Sequence, residues 1–141
     1  MNPFALPIHP VVVHFPLAML AAAWVCLLAV HLTGKEQWRD RERLFEAIGV
    51  WTLPLALVGG FIDTRGFEPL TSPRFDQPLI WHIVAATAGC AAYAARFAWS
   101  RRPALVRRTS RWATTDVVLA TAGLWLLVLA GAIAGEMVYG A

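Results

Sequence analysis

The sequence predicts an all-α integral membrane protein, a four-helix bundle running up-down-up-down. Three observations predict it. Of 141 residues, 58% are hydrophobic and only 15% are charged, where soluble domains carry about a quarter charged residues. The mean hydropathy is +0.56. The apolar residues also gather into four runs, each close to the roughly 20 residues that cross a bilayer as a helix. The spans are expected at about 10–32, 44–62, 79–99 and 117–139, in one transmembrane domain covering 1–141.

The first span opens on Ile8-His9-Pro10-Val11-Val12-Val13-His14-Phe15-Pro16. Pro10 suits a first helical turn, where its missing N–H has no partner to lose. Pro16 lies deeper, frees the carbonyl of Val12 and is expected to bend the helix. Gly34 is a candidate C-cap. No Lys or Arg precedes this run, and it is longer than the apolar part of a secretory signal, so it reads as a retained span. The next stretch, Lys35 to Glu46, alternates charge at i,i+3 and i,i+4 and reads as a short surface helix. Trp38 and Phe45 then lie at the membrane interface. The second span contains Pro54 and closes on Gly59-Gly60 and Asp63. The segment from Asp63 to Pro78 is rich in Pro and Gly, with Phe67, Leu70 and Phe75 as apolar anchors, and reads as an ordered cap.

His82 stands in the first turn of the third span, with Ala85, Ala86, Gly89 and Tyr93 following at helical spacing. Arg96, near the end of that span, is expected to snorkel toward the arginine-rich segment beyond it. The fourth span carries Gly131 and Gly135, a GxxxG that permits close helix approach. Cys26 and Cys90 fall inside spans and read as small packing residues, a thiolate ligand or a disulfide being the other possibilities.

Charge sets the orientation. Nine of the twelve Lys and Arg lie in the two segments that link spans one to two and three to four, and Arg96, in the last turns of span three, makes ten on that side. The positive-inside rule puts those segments in the cytoplasm of a bacterium, and both termini on the periplasmic side of its inner membrane. The same rule accounts for the pI of about 9.4 without nucleic acid as a partner.

This topology brings His9, His14, Asp63, His82, Glu136 and Tyr139 to one end of the bundle. His31 lies at the other end. At 1.5 Å per residue, His14 and His82 sit roughly 5–6 Å inside their spans, so two helices present imidazoles at one depth. His9 and His14 differ by five residues and point about 140° apart. Ionisable groups within spans are costly and mark function. Haem b is one candidate ligand, with His14 and His82 as axial ligands and small residues leaving room for the ring. Arg65, Arg74 or Tyr139 would meet its propionates, and His9 and Asp63 would support the site. Such a protein would pass single electrons to a redox partner protein or quinone. A transition-metal ion is the second candidate, on His9, His14, Asp63, His82 and Glu136. The third reading is a structural subunit with a buried His/Asp network. No Ser/His/Asp set, phosphate loop or paired redox cysteines point to an enzyme of another kind. Four spans leave little room for a transport path except in a homo-oligomer.

Four motifs resemble domain-of-unknown-function family 2231, small bacterial membrane proteins with four predicted spans. They are His9-Pro10-Val11-Val12-Val13-His14-Phe15-Pro16, Gly59-Gly60-Phe61-Ile62-Asp63, Trp81-His82 and Gly135-Glu136-Met137-Val138-Tyr139-Gly140. Members of the family often continue with His-Gly where this sequence ends at Gly140-Ala141. Related domains stand beside Rieske or c-type cytochrome modules, so the resemblance implies electron transfer rather than hydrolysis, by association.

Overall fold

In the computed structural model, residues 8–63, 77–101 and 110–139 are described, with side chains given from Val12 inward at the amino end and up to Met137 at the other. Four α-helices account for them: α1 (Ile8–Thr33), α2 (Glu36–Asp63), α3 (Gln77–Ser100) and α4 (Ser110–Tyr139). Each contains a stretch long and apolar enough to cross a membrane. No strand occurs among the described residues.

The helices start where the chain allows. α1 ends because Gly34 adopts a left-handed conformation, φ +66°, which a residue with a Cβ enters only with strain. Its N–H donates to the Val30 carbonyl at 2.8 Å, the single bond of an αL cap. Two residues later α2 begins, with Glu36 in its first turn, where the helix dipole favours an anion. The surface helix and second span expected to be separate are therefore one continuous helix. The charged residues are its first turns, and α1 and α2 form a tight hairpin. α4 likewise starts before its apolar run, at Ser110, and carries Asp116 into the bundle. Helix α1 continues through Pro16, whose side chain is fully buried. The cap expected from Asp63 to Pro78 lies almost entirely outside the described residues.

Helices α1 and α2 pack along each other, as do α3 and α4, and narrower seams join α1 to α4 and α2 to α3. The two diagonal pairs, α1 with α3 and α2 with α4, make no close backbone approach among the described residues. The centre is filled by Leu20, Leu53 and Tyr93, with Val50, Cys90, Leu124 and Leu127 packed around them. Glycines set the closest approaches. A Cβ on Gly49 would lie 2.7 Å from the Leu20 side chain, and one on Gly89 would lie 3.1 Å from the Gly123 carbonyl.

The polarity is reversed relative to a soluble bundle. Trp51, Trp81, Trp125, Leu32, Leu55 and Leu57 are exposed, whereas Arg96, Glu42 and Glu46 are buried. Apolar surface on this scale on the outside of a helical bundle is matched by lipid, not water.

Candidate functional site

The two ends of the bundle differ in chemistry. The end formed by the starts of α1 and α3 and the finishes of α2 and α4 carries the predicted site. Both α1 and α3 begin two residues earlier than expected, at Ile8 and Gln77. His14 and His82 therefore stand six and five residues from their helix starts.

His82 is half-buried. Its Nδ1 lies 2.9 Å from the carbonyl oxygen of Ala130 on α4. A carbonyl only accepts, so Nδ1 is the donor in this contact. A hydrogen bond of this kind, from the second ring nitrogen to a backbone carbonyl, orients metal-ligating histidines. His14 is exposed at the surface of the bundle, on the helix diagonal to that of His82.

The remaining predicted residues divide into two groups. Glu136 is an exposed residue of α4. His9 lies in α1 and Asp63 closes α2, but their side chains are outside the described residues, as is that of Tyr139. Arg65 and Arg74 lie wholly outside them. Among the described residues, no group of three His, Cys, Asp or Glu side chains is placed to hold a metal ion. Both cysteines are free, Cys26 buried and Cys90 half-buried.

Of the small residues expected to leave room for a ring, those on α3 and those on α4 differ. Ala85 is buried, and Gly89 is closed off by Leu127 and the Gly123 carbonyl. Gly131 and Gly135 instead face open space, with nothing within 4 Å of where a Cβ would stand. Their GxxxG forms no helix contact among the described residues, and it follows directly on Ala130, the partner of His82.

At the opposite end lies a cluster that the sequence reading missed. Arg96 of α3 is 1% exposed and does not snorkel outward. Its Nη2 meets Glu42 at 2.5 Å, its Nη1 pairs with Glu46, and its Nε lies 3.4 Å from Asp116 of α4. Snorkelling is unnecessary because three carboxylates from two other helices reach the guanidinium in place. The hydroxyl of Ser100 donates to the Phe97 carbonyl at 2.9 Å and lies 3.4 Å from the second oxygen of Glu46. Glu42 and Glu46, four residues apart, share a face that continues through Gly49, Leu53 and Ala56, all buried. That 3.6-residue stripe is the signal in the sequence for their inward position. Outside the cluster, Arg41 and Arg101 lie over the rings of Trp38 and Phe97 at 4.8 and 4.4 Å, contacts suited to the interface.

A family model described as a predicted membrane protein (DUF2231) matches residues 5–141. The chain belongs to this family. No curated protein and no solved structure matches it. The DUF2231 match includes both ends of the bundle, the histidines of α1 and α3 and the ionic cluster alike. The family description adds membrane residence and no chemistry.

Proposed function

We propose that the protein binds haem b at the end of the bundle formed by the starts of α1 and α3. His14 and His82 would be the axial ligands, with one-electron transfer at the periplasmic face of a bacterial inner membrane. The observation that carries this reading is the contact of His82 Nδ1 with the Ala130 carbonyl at 2.9 Å. A contact of this kind would orient the ring as it orients the rings of metal-ligating histidines. The same residues fit an ion less well. A haem brings four nitrogens of its own and needs two imidazoles from the protein. A protein-held zinc or comparable ion needs three or four protein ligands; of the five residues offered for one, His14, His82 and Glu136 have described side chains, and these form no such group.

When bound, the haem would supply reversible one-electron chemistry at its iron. The protein's own residues would do the rest. His82 would hold the group from α3 through its imidazole. His14 would supply a second imidazole from the diagonal helix α1, where it is exposed. Gly131 and Gly135 keep the α4 surface beside Ala130 free of side chains. His9, Asp63 and Arg65 belong to the same end by sequence and are assigned to the propionate side. The basic residues at the opposite end support the orientation, with both termini periplasmic.

The test is the absorption spectrum of the purified protein after haem-sufficient expression, as isolated and reduced. A Soret band is expected, lost in His14→Ala and in His82→Ala and kept in His31→Ala. Absence of the band from the wild-type protein sinks the reading. Bleaching by His31→Ala would show that the ligand pair is wrong, because His31 is exposed at the far end of α1.

A further inference from the structure

We infer that the Arg96 cluster is a second functional site, a proton-binding site in which Glu46 carries an exchangeable proton taken up from the α1–α2 turn end of the bundle. The inference stands apart from the haem reading and uses none of its residues.

The charges do not balance. Glu42, Glu46 and Arg96 are 2%, 1% and 1% exposed, so the fully buried part holds two carboxylates and one guanidinium. Asp116, 15% exposed, adds a third carboxylate at the rim. Each carboxylate occupies a different nitrogen of the same guanidinium. A net negative charge among membrane helices is strongly disfavoured, so a cation must join the buried part. Among the described residues, no second basic side chain pairs with these carboxylates. A metal ion does not suit the arrangement, because the guanidinium stands between the carboxylates and they do not converge on one point. The cation that fits is a proton. With Glu46 neutral, the pair of Glu42 and Arg96 closes the buried balance, and Asp116 lies at the more exposed rim.

An independent feature points the same way. The Tyr93 hydroxyl is buried without a hydrogen-bond partner among the described residues, and the 3.4 Å ion pair of Arg96 Nε with Asp116 Oδ1 is not closed by a hydrogen bond. Tyr93 is 1% exposed. It stands one turn before Arg96 on the same face of α3, within electrostatic reach of both Arg96 and Glu46. A buried hydroxyl left unpaired is costly, and a protonated carboxyl or the water that delivers its proton satisfies it. Helix α2 contributes Glu42 and Glu46, α3 contributes Tyr93, Arg96 and Ser100, α4 contributes Asp116, and α1 contributes the buried Cys26 thiol, in electrostatic reach of Arg41 and Glu42 of α2; Arg41 makes no ion pair with the cluster carboxylates. The step is a proton transfer from hydronium in the water at the turn end to a Glu46 oxygen. It leaves one water molecule and one neutral carboxyl, and no electron moves.

Infrared spectroscopy of the full chain in lipid nanodiscs tests the site. A carbonyl stretch of a protonated carboxylic acid is expected in the wild-type protein, shifted in heavy water and titrating with pH. It should be lost in Glu46→Gln and unchanged in Glu36→Gln, which alters an exposed residue of the same helix. If Glu46→Gln does not fold, wild-type protein labelled with carboxyl-13C glutamate replaces it, and the band must shift with the label. The proposal is overturned if the folded protein shows no such band at any pH, if the band survives Glu46→Gln, or if it ignores the glutamate label.

Discussion

The two ends of the bundle solve the problem of polar groups in a membrane in opposite ways. At the turn end, Arg96 and its carboxylates are enclosed by protein and bonded to one another across three helices. At the other end, His82 is tied to a backbone carbonyl, and His14 and Glu136 stand exposed. The first arrangement makes the helices depend on one another. The second holds one side chain against a neighbouring backbone, and nothing lies within 4 Å of a Cβ added at Gly131 or Gly135 of the same helix.

The largest expected effect follows from removing the cation at the turn end. Arg96→Ala leaves three carboxylates facing one another, and breaking a buried ion pair in this way costs about 3–5 kcal/mol. The folded fraction in detergent, followed by circular dichroism against temperature, is expected to fall steeply. His14→Ala, which empties an exposed position, should change it by less than about 0.5 kcal/mol. If the two variants were equally stable, the contrast between the ends would fail.

That contrast was only half legible in the sequence. The four spans were, because hydropathy alone selects segments that lipid will accept. The positions of His14 and His82 near their helix starts were legible too, since the apolar runs suffice to place those starts. The ionic cluster was not. Lys35 to Glu46 carries alternating charges whose local i,i+4 pairings explain themselves, and nothing in that pattern says that Glu42 and Glu46 meet a guanidinium some fifty residues later. The inward stripe from Glu42 to Ala56 was present, but the expected helix boundary near Leu44 cut it in two. The bond of His82 was also out of reach, because its acceptor is a backbone carbonyl and carries no sequence signature. The small residues were visible while their pairing was not. Gly89 and Gly123 make the close approach that the GxxxG of Gly131 and Gly135 suggested.

This last difference sharpens the comparison at intermediate size. A Cβ on Gly89 would stand 2.8 Å from Cγ of Leu127 and 3.1 Å from a backbone oxygen of α4, so α3 and α4 must separate to admit it. Gly89→Ala is expected to destabilise by about 1–3 kcal/mol, the usual range for overpacking. Gly131→Ala meets no atom and gains helix propensity, so its stability should be equal or slightly higher. On the haem reading it would crowd the space beside Ala130. A variant with full stability and a weakened Soret band would therefore separate room for a ligand from room for a helix.

The smallest effect concerns the α1–α4 seam, which joins the two hairpins midway between the ends. Trp24 Nε1 donates to Thr121 Oγ1 at 2.9 Å, and that hydroxyl donates in turn to the Val117 carbonyl at 2.7 Å. Trp24→Phe removes the first bond and leaves the hydroxyl satisfied through the second, so little desolvation penalty remains to amplify the loss. Hydrogen bonds between membrane helices average about 0.6 kcal/mol in double-mutant cycles, and the cycle of Trp24→Phe with Thr121→Val should return a coupling of that size. Thr121→Val also removes the bond to Val117, which is why the single variants alone do not isolate the seam. A coupling above about 2 kcal/mol would mean that a lone neutral bond ties the hairpins as firmly as the Arg96 network does. A coupling near zero would leave packing and the buried charges to hold them together.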